Sequence, residues 1–186
     1  MIIGLSGKIA SGKTTAASYF AKHGLHVLST RNLLSSILRA RSISSNRRNL
    51  QRVGKDLVNL IGAGGFIAIM LEYLPKADYV LDAIRYPGAI DYLRKRFGRD
   101  YIQVHLIAND SLRYSRMVSK SDMGAMVTDY RKFEEAATES EDANLKRKAD
   151  FRVINEGTLK AFRLELDAIY SSAAKRQRLR KRLKTK

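Results

Sequence analysis

Residues 1–15 of the chain read MIIGLSGKIASGKTT, and their spacing decides the fold. An apolar run over residues 1–5 leads into GKIASGKT at residues 7–14, and a helix-forming stretch over residues 15–22 follows. A strand, a glycine loop and a helix start in this order predict a phosphate-binding loop. The glycines allow a tight turn and a close approach to a ligand. The backbone N–H groups of the loop and the positive end of the helix then face one polyphosphate.

The side chains after the second glycine indicate which groups this loop binds. Lys13 supplies an ammonium for the β- and γ-phosphates, and the Thr14 hydroxyl suits Mg²⁺. We therefore predict ATP and Mg²⁺ as ligands, against the alternative of a glycine turn between unrelated elements. The predicted nucleotide-binding residues of the loop are Gly7, Lys8, Ile9, Ala10, Ser11, Gly12, Lys13, Thr14 and Thr15. This pattern resembles the Walker A motif of the P-loop NTPase superfamily.

Composition narrows the class of protein. The 186 residues, 45% of them apolar, suffice for one domain with a substantial core. The absence of cysteine excludes disulfides and thiolate metal sites. We find no apolar run near the roughly 18 residues of a membrane span, and the first residues are expected to form a strand rather than a signal peptide. We therefore predict a cytoplasmic protein without a membrane partner.

Charge is concentrated at one end of the chain. The formal net charge is +17, from 35 basic and 18 acidic residues. Residues 175–186, KRQRLRKRLKTK, hold eight of the basic residues and no acid, which leaves +9 for the rest of the chain. This basic tail is suited to nucleic acid or an anionic surface. The alternative, a solvated helix end whose cations complement the helix dipole, is favoured.

Strands alternate with helical stretches along the chain. We predict strands at residues 1–5, 25–29, 79–83, 101–107 and 151–154, with glycines interrupting a helical region at residues 62–65. This alternation predicts an α/β fold of three layers, a mainly parallel five-stranded sheet with helices on both faces. Ligands of such sheets bind beyond the carboxyl ends of the strands.

Polar residues follow the predicted strands at that edge. Asp82 ends an apolar strand and is placed to hold Mg²⁺, although a helix cap or a surface turn is an alternative role. Arg85 can reach the same cleft, where a guanidinium matches a phosphate. Arg113 and Arg116 share one face of a predicted helix. We expect these two arginines to form the base of a lid that closes over the transferring phosphoryl group.

The order of these parts is similar to that in nucleoside monophosphate kinases and the related dephospho-CoA-kinase-like proteins. The segment LDAIRYP at residues 81–87 is similar to the Asp-Gly-Ile-Arg-x-Pro element of archaeal adenylate-kinase-related proteins. Residues 153–158, VINEGT, match the last strand and turn of these kinases, which lie by the adenine. The resemblance thus implies a P-loop kinase fold with acceptor-binding and lid insertions, and places Asn155 and Gly157 at the cofactor.

The resemblance also implies an acceptor region. Residues 28–34 look like the start of the monophosphate-binding region of adenylate-kinase relatives, which places Thr30 there. Serines stand where those kinases have an arginine after the Leu-Leu pair, so Arg39 and Arg47, with Arg85, are hypotheses for the acceptor phosphate. Dephospho-CoA kinases carry an Asp after the second strand, where this chain has Ser29-Thr30-Arg31. A nucleoside monophosphate needs no such base, which favours a phosphate acceptor.

We therefore expect one P-loop kinase domain over residues 1–174, with acceptor-binding helices at about 30–74, a lid at about 110–148 and the basic tail. The leading hypothesis is ATP-dependent phosphoryl transfer to a nucleoside or deoxynucleoside monophosphate, with Lys13, Arg85, Arg113 and Arg116 as catalytic residues and Thr14 and Asp82 on the metal. The alternatives are a dephospho-CoA-kinase-like enzyme of another small molecule and an RNA- or partner-binding ATPase that uses the tail.

Two residues receive no functional role from the sequence. His105 alternates within a predicted strand and is interpreted as a core or sheet-face histidine. Asp142 belongs to an acidic cluster that is interpreted as a solvated helix face.

Overall fold

The computed structural model describes residues 1–72, 74–119 and 139–184; the side chains at 47, 139–140 and 180–184 are outside this description. The strands are β1 (Ile2–Ser6), β2 (His26–Ser29), β3 (Tyr79–Asp82), β4 (Tyr101–Ile107) and β5 (Phe151–Ile154). The helices are α1 (Lys13–Lys22), α2 (Thr30–Ala40), α3 (Arg47–Glu72), α4 (Pro87–Phe97), α5 (Asp110–Val118), α6 (Glu139–Arg147) and α7 (Leu159–Lys184), with a 3₁₀ turn (Gly98–Asp100) before β4.

The five strands form one parallel sheet in the order β2-β3-β1-β4-β5, which confirms the predicted fold class. Leu5 of β1 pairs with Asp82 of β3 and with Val104 of β4, so these strands end at one edge. Parallel strands need crossover helices, which cover both faces. The loop after β1 therefore starts at the centre of the carboxyl edge, next to the ends of β3 and β4.

Two apolar cores lie on the two faces of the sheet. The strands alternate between them, as Ile2 faces one core and Ile3 the other. The first core contains buried residues of α2, α3, α4 and α6, including Leu38, Ile67 and Leu93. The second core consists of α1 and α7 packed on the sheet, and its buried side chains include Phe20, Val104, Phe162 and Leu166.

Helix α3 differs from the sequence expectation. The interruption expected at residues 62–65 is confined to Gly62, whose φ of 72° and ψ of 161° leave the helical range. Residues Arg48–Glu72 are long and apolar enough, by length and composition alone, to cross a membrane, which the sequence analysis did not anticipate. In the structure, Phe66 and Ile67 of this helix are buried in the first core.

The predicted insertions map onto these elements. Helices α2 and α3 occupy the predicted acceptor region, and α5 and α6 lie within the predicted lid at about 110–148, of which residues 120–138 lie outside the described residues. Helix α7 continues from the core into the basic tail as far as Lys184.

The second core predicts a large difference between two leucines of α7. Leu166 is 0% exposed and Leu164 is 62% exposed, so Leu166→Ala should lower the free energy of unfolding by about 2–5 kcal/mol. The matched Leu164→Ala variant should change it by roughly 0.5 kcal/mol or less. Urea unfolding followed by circular dichroism measures both. Equal losses in the two variants would contradict the packing of α7 on the sheet.

Candidate nucleotide-binding site

The loop between β1 and α1 has a backbone that glycine makes possible. Gly7 and Gly12 have φ values of 128° and 109°, in the left-handed region. A Cβ atom on Gly7 would lie 2.2 Å from the carbonyl oxygen of Leu106, and one on Gly12 would lie 2.3 Å from Nδ2 of Asn155. The loop therefore passes too close to its neighbours for any side chain at these two positions.

The carbonyl groups of the loop are held by side chains from three parts of the chain. Lys13 Nζ donates to the carbonyl oxygens of Gly7 and Lys8, both at 2.7 Å. Arg113, Arg116 and Asn155 donate to the next three carbonyls in order, at 3.2, 3.4 and 2.9 Å. Five consecutive carbonyls therefore point toward protein donors.

The two arginines of α5 are anchored next to the loop. Arg113 is fully buried, and its guanidinium also donates to Asp110 Oδ1 at 2.7 Å, a bond that lowers the pKa of Asp110. Arg116 donates to the carbonyl of Asn155 at 2.9 Å. The guanidinium groups thus contact the loop backbone in this structure, and their predicted action on a transferring phosphoryl group stays a prediction.

Oxygen ligands for a cation stand beside the loop. The Thr14 hydroxyl donates to Asp82 Oδ2 at 3.4 Å, because β3 ends beside the start of α1. A hydroxyl and a carboxylate suit Mg²⁺, which is bound by one or two protein oxygens together with substrate phosphates. Among the described residues, no group of three or more His, Asp and Glu side chains could hold a metal ion. The pair fits the predicted role, and Mg²⁺ binding itself stays a prediction.

Lys13 lies among charges from several elements. Its pKa is lowered to about 8, mainly by burial and also by the cation of Arg85, whereas the carboxylates of Asp82 and Asp142 oppose this shift. Arg85 itself is exposed. The elements that end at this edge thus bring Lys13, Asp82, Arg85 and Asp142 together.

The remaining predicted residues are less well connected to the loop. Thr30 follows Ser29, which pairs with Asp82, so Thr30 begins α2 at the same edge. Arg39 hydrogen-bonds Ser36 one turn earlier in α2, at 3.5 Å. The side chain of Arg47 lies outside the described residues. Thr15 is exposed in the first turn of α1, and Gly157 lies in the turn after β5. Their roles stay predictions.

A chain of buried polar residues beneath the loop was missed by the sequence analysis. Tyr101 donates to Gln103 Oε1, and Gln103 Nε2 lies 2.8 Å from Ser6 Oγ. Ser6 Oγ in turn lies 3.0 Å from His105 Nδ1, and His105 Nε2 lies 3.7 Å from Asp142 Oδ1. Alternating polar residues in an otherwise apolar strand β4 were the available signal.

The hydrogen bonds among these buried polar residues are compatible with a neutral His105. Gln103 donates to Ser6, so the Ser6 hydroxyl can donate to Nδ1, and the proton of a neutral imidazole then sits on Nε2, facing Asp142. Burial lowers the pKa of His105, which favours this neutral form. His105 Nε2 therefore lies next to Asp142 of α6, whose carboxylate also acts on the pKa of Lys13.

Sequence comparison finds relatives that align with most of the chain. No protein-family profile matches the chain. A UPF0200 protein of Methanosarcina mazei is 25% identical over 181 residues, 92% of this chain and 94% of that protein. A UPF0200 protein of Halobacterium salinarum is 29% identical over 170 residues, 87% of each chain.

Solved structures extend the comparison. The Thermus thermophilus protein TT1252 has a TM-score of 0.65 at 18% identity, over 92% of this chain and 97% of that chain. Shikimate kinase from Bacteroides thetaiotaomicron has a TM-score of 0.60 at 13% identity, with the same coverage. Shikimate kinase from Acinetobacter baumannii, solved with shikimate, has a TM-score of 0.58 at 17% identity, over 94% of this chain and 93% of that chain. The chain has the P-loop kinase fold. At these identities the similarity establishes the fold but does not indicate a substrate.

The close approach of the loop to β4 predicts the effect of one methyl group. Gly7→Ala should abolish ADP binding, because its Cβ would overlap the backbone of Leu106 and displace the loop. Gly24→Ala is the matched control, since Gly24 also has a positive φ, 89°, but nothing within 4 Å of an added Cβ. Calorimetric titration with ADP compares them. Retained binding in Gly7→Ala, or equal losses in both, would contradict this account of the loop.

The placement of Asp142 predicts the titration of Lys13. Asp142→Asn removes a carboxylate that raises the pKa of Lys13, so this pKa should fall further below about 8. The fraction of charged lysine at pH 7.5 should therefore decrease. NMR of isotope-labelled lysine follows the titration, with Glu165→Gln on the exposed face of α7 as the control. An unchanged pKa in Asp142→Asn would contradict the proximity of the two residues.

Proposed function

We propose that the protein is a small-molecule kinase that transfers the γ-phosphoryl group of ATP, with a nucleoside or deoxynucleoside monophosphate as the acceptor. The observation that carries the proposal is the orientation of the loop. Its five carbonyls bond to protein donors and so point away from an incoming anion. The Ser11 N–H donates to the carbonyl of Lys8 at 3.3 Å, and the other N–H groups of the loop, together with the start of α1, would face the anion. Lys13 Nζ, which bonds to the carbonyls of Gly7 and Lys8 in this structure, would bind the triphosphate from the same loop.

The residues around the loop have complementary tasks in this proposal. Lys13 would neutralise charge on the β- and γ-phosphates, and Thr14 and Asp82 would hold Mg²⁺, which supplies charge neutralisation when it is bound. Arg85 would orient the acceptor from the end of β3. Arg113 and Arg116, which donate to the loop carbonyls, would close on the transferring phosphoryl group, neutralise its charge and exclude water. An acceptor phosphate oxygen attacks the γ-phosphorus, and the bond between the γ-phosphorus and the oxygen that bridges the β- and γ-phosphates breaks. ADP leaves, and no covalent enzyme intermediate forms.

The type of acceptor is inferred from the lack of a general base in residues 29–31. A phosphate acceptor is already anionic, and residues 29–31 after β2 contain no carboxylate to deprotonate a hydroxyl. This supports a monophosphate over dephospho-CoA. A hydroxyl acceptor is the second candidate, because shikimate kinases are among the structural neighbours of the same fold. The single-domain organisation and the cytoplasmic location remain part of the proposal.

One panel of acceptors tests the proposal. ATP and Mg²⁺ with each ribo- and deoxynucleoside monophosphate, dephospho-CoA, shikimate and gluconate should give ADP formation with at least one monophosphate. Lys13→Ala should lower that rate at least about a hundredfold, because a charge-stabilising donor is lost. An unchanged melting temperature would show that the fold is retained.

Other outcomes are equally clear. ADP formation only with shikimate, gluconate or dephospho-CoA would support the kinase activity but contradict a monophosphate acceptor. Turnover unchanged in Lys13→Ala would overturn the donor site.

A further inference from the structure

We propose that the amino edge of the sheet, opposite the nucleotide site, binds the phosphate backbone of a nucleic acid. The inference does not depend on the proposed kinase activity, because it concerns a separate surface. It rests on two basic segments, distant in sequence, that the fold brings together. We call the following residues the basic surface: Lys95, Arg96, Arg99, Lys175, Arg176 and Arg178.

Helix α7 connects the two ends of the molecule. Near its start, Phe162 lies 3.5 Å from the position of a Cβ on Gly12, so α7 begins beside the phosphate loop. Fifteen residues later, Gln177 Nε2 donates to Asp78 Oδ1 at 2.9 Å, immediately before β3 begins. At 1.5 Å per residue, these positions are about 22 Å apart along the helix. The basic end of α7 is therefore far from the nucleotide site.

Helix α7 continues past its last contact with the core. Among the side chains of α7 that the structure describes, Ala173 is the last buried apolar residue, and Gln177 is the last hydrogen-bond donor to the body. The helical backbone extends to Lys184, about 10 Å further. Residues 175–184 contain no acid, and the described cations of this extension, Lys175, Arg176 and Arg178, are exposed.

The second basic segment lies at the same edge. Helix α4 ends there, and its last turn presents exposed Lys95 and Arg96, followed by exposed Arg99 in the 3₁₀ turn. Helix α7 packs against this turn. Asp78, beside Gln177, binds both Gln177 and the amino group of Met1. Six exposed cations from α4, the 3₁₀ turn and α7 therefore lie at one edge.

The chemistry of the surface favours nucleic acid over a lipid headgroup. A helix that lies in a membrane interface needs a broad apolar face, whereas residues 175–184 have two leucines as their apolar side chains. Exposed arginines and lysines at the end of a helix suit the phosphate backbone of a nucleic acid, because their binding releases counterions. The expected partner is single-stranded or duplex nucleic acid, recognised through its backbone without base readout.

Fluorescence anisotropy with a labelled 20-nucleotide RNA and a 20-base-pair DNA tests the surface, as a function of KCl concentration. Two double variants each remove two of its cations, Lys175→Gln with Arg178→Gln and Lys95→Gln with Arg99→Gln. For the single strand, each pair should reduce the slope of log K against log [KCl] by up to about 1.4. Affinity at 100 mM KCl should fall in both.

The control removes two exposed cations elsewhere, with Arg52→Gln and Lys55→Gln on α3, and should leave the slope unchanged. Vesicles with 30% phosphatidylserine form a third arm. Absence of nucleic-acid binding by the wild-type protein at 100 mM KCl, equal slope changes in all three variants, or binding to vesicles alone would each overturn the inference. Melting temperatures within 2 °C of wild type, roughly the shift of a small stability change, establish that the variants are folded.

Discussion

The hydrogen bonding of the loop carbonyls is the constraint on which the candidate site depends. A backbone group that turns inward needs a partner, since an unpaired buried carbonyl costs free energy. Here Lys13, Arg113, Arg116 and Asn155 supply those partners from α1, α5 and the end of β5. The three contributing elements are themselves positioned by the parallel sheet. The loop conformation is thus a property of the whole carboxyl edge rather than of the eight residues of the motif.

This dependence explains which parts of the site were predictable. Asp82 ends β3, Arg113 and Arg116 follow β4, and Asn155 follows β5. The carboxyl ends of parallel strands lie at one edge of the sheet, whatever the sequence between the strands. Strand alternation and loop spacing are local signals, and they were sufficient for the fold. The direction in which Arg113 points was not predictable, because a helix face alone does not reveal that its guanidinium meets a carbonyl of the loop.

The pairing of His105 with Asp142 illustrates what sequence patterns leave open. The two residues are 37 positions apart, and their contact depends on where α6 returns after a segment of low sequence regularity. Acidic residues at helical spacing usually face solvent, so the sequence did not distinguish Asp142 from the other acidic residues of its cluster. Similarly, three glycines near residue 62 looked alike, but the local backbone left the helical range at Gly62 alone.

The lowered pKa of Lys13 has a chemical consequence of its own. A lysine with a pKa of about 8 is roughly one fifth free amine at pH 7.4, whereas an unperturbed lysine is about a thousandth free amine. The free amine is the nucleophilic form. An acylating or aldehyde reagent small enough to reach the buried Nζ of Lys13 would meet a larger fraction of free amine there than at an unperturbed lysine. The residue predicted to bind phosphate is thus also a candidate attachment point for a covalent inhibitor.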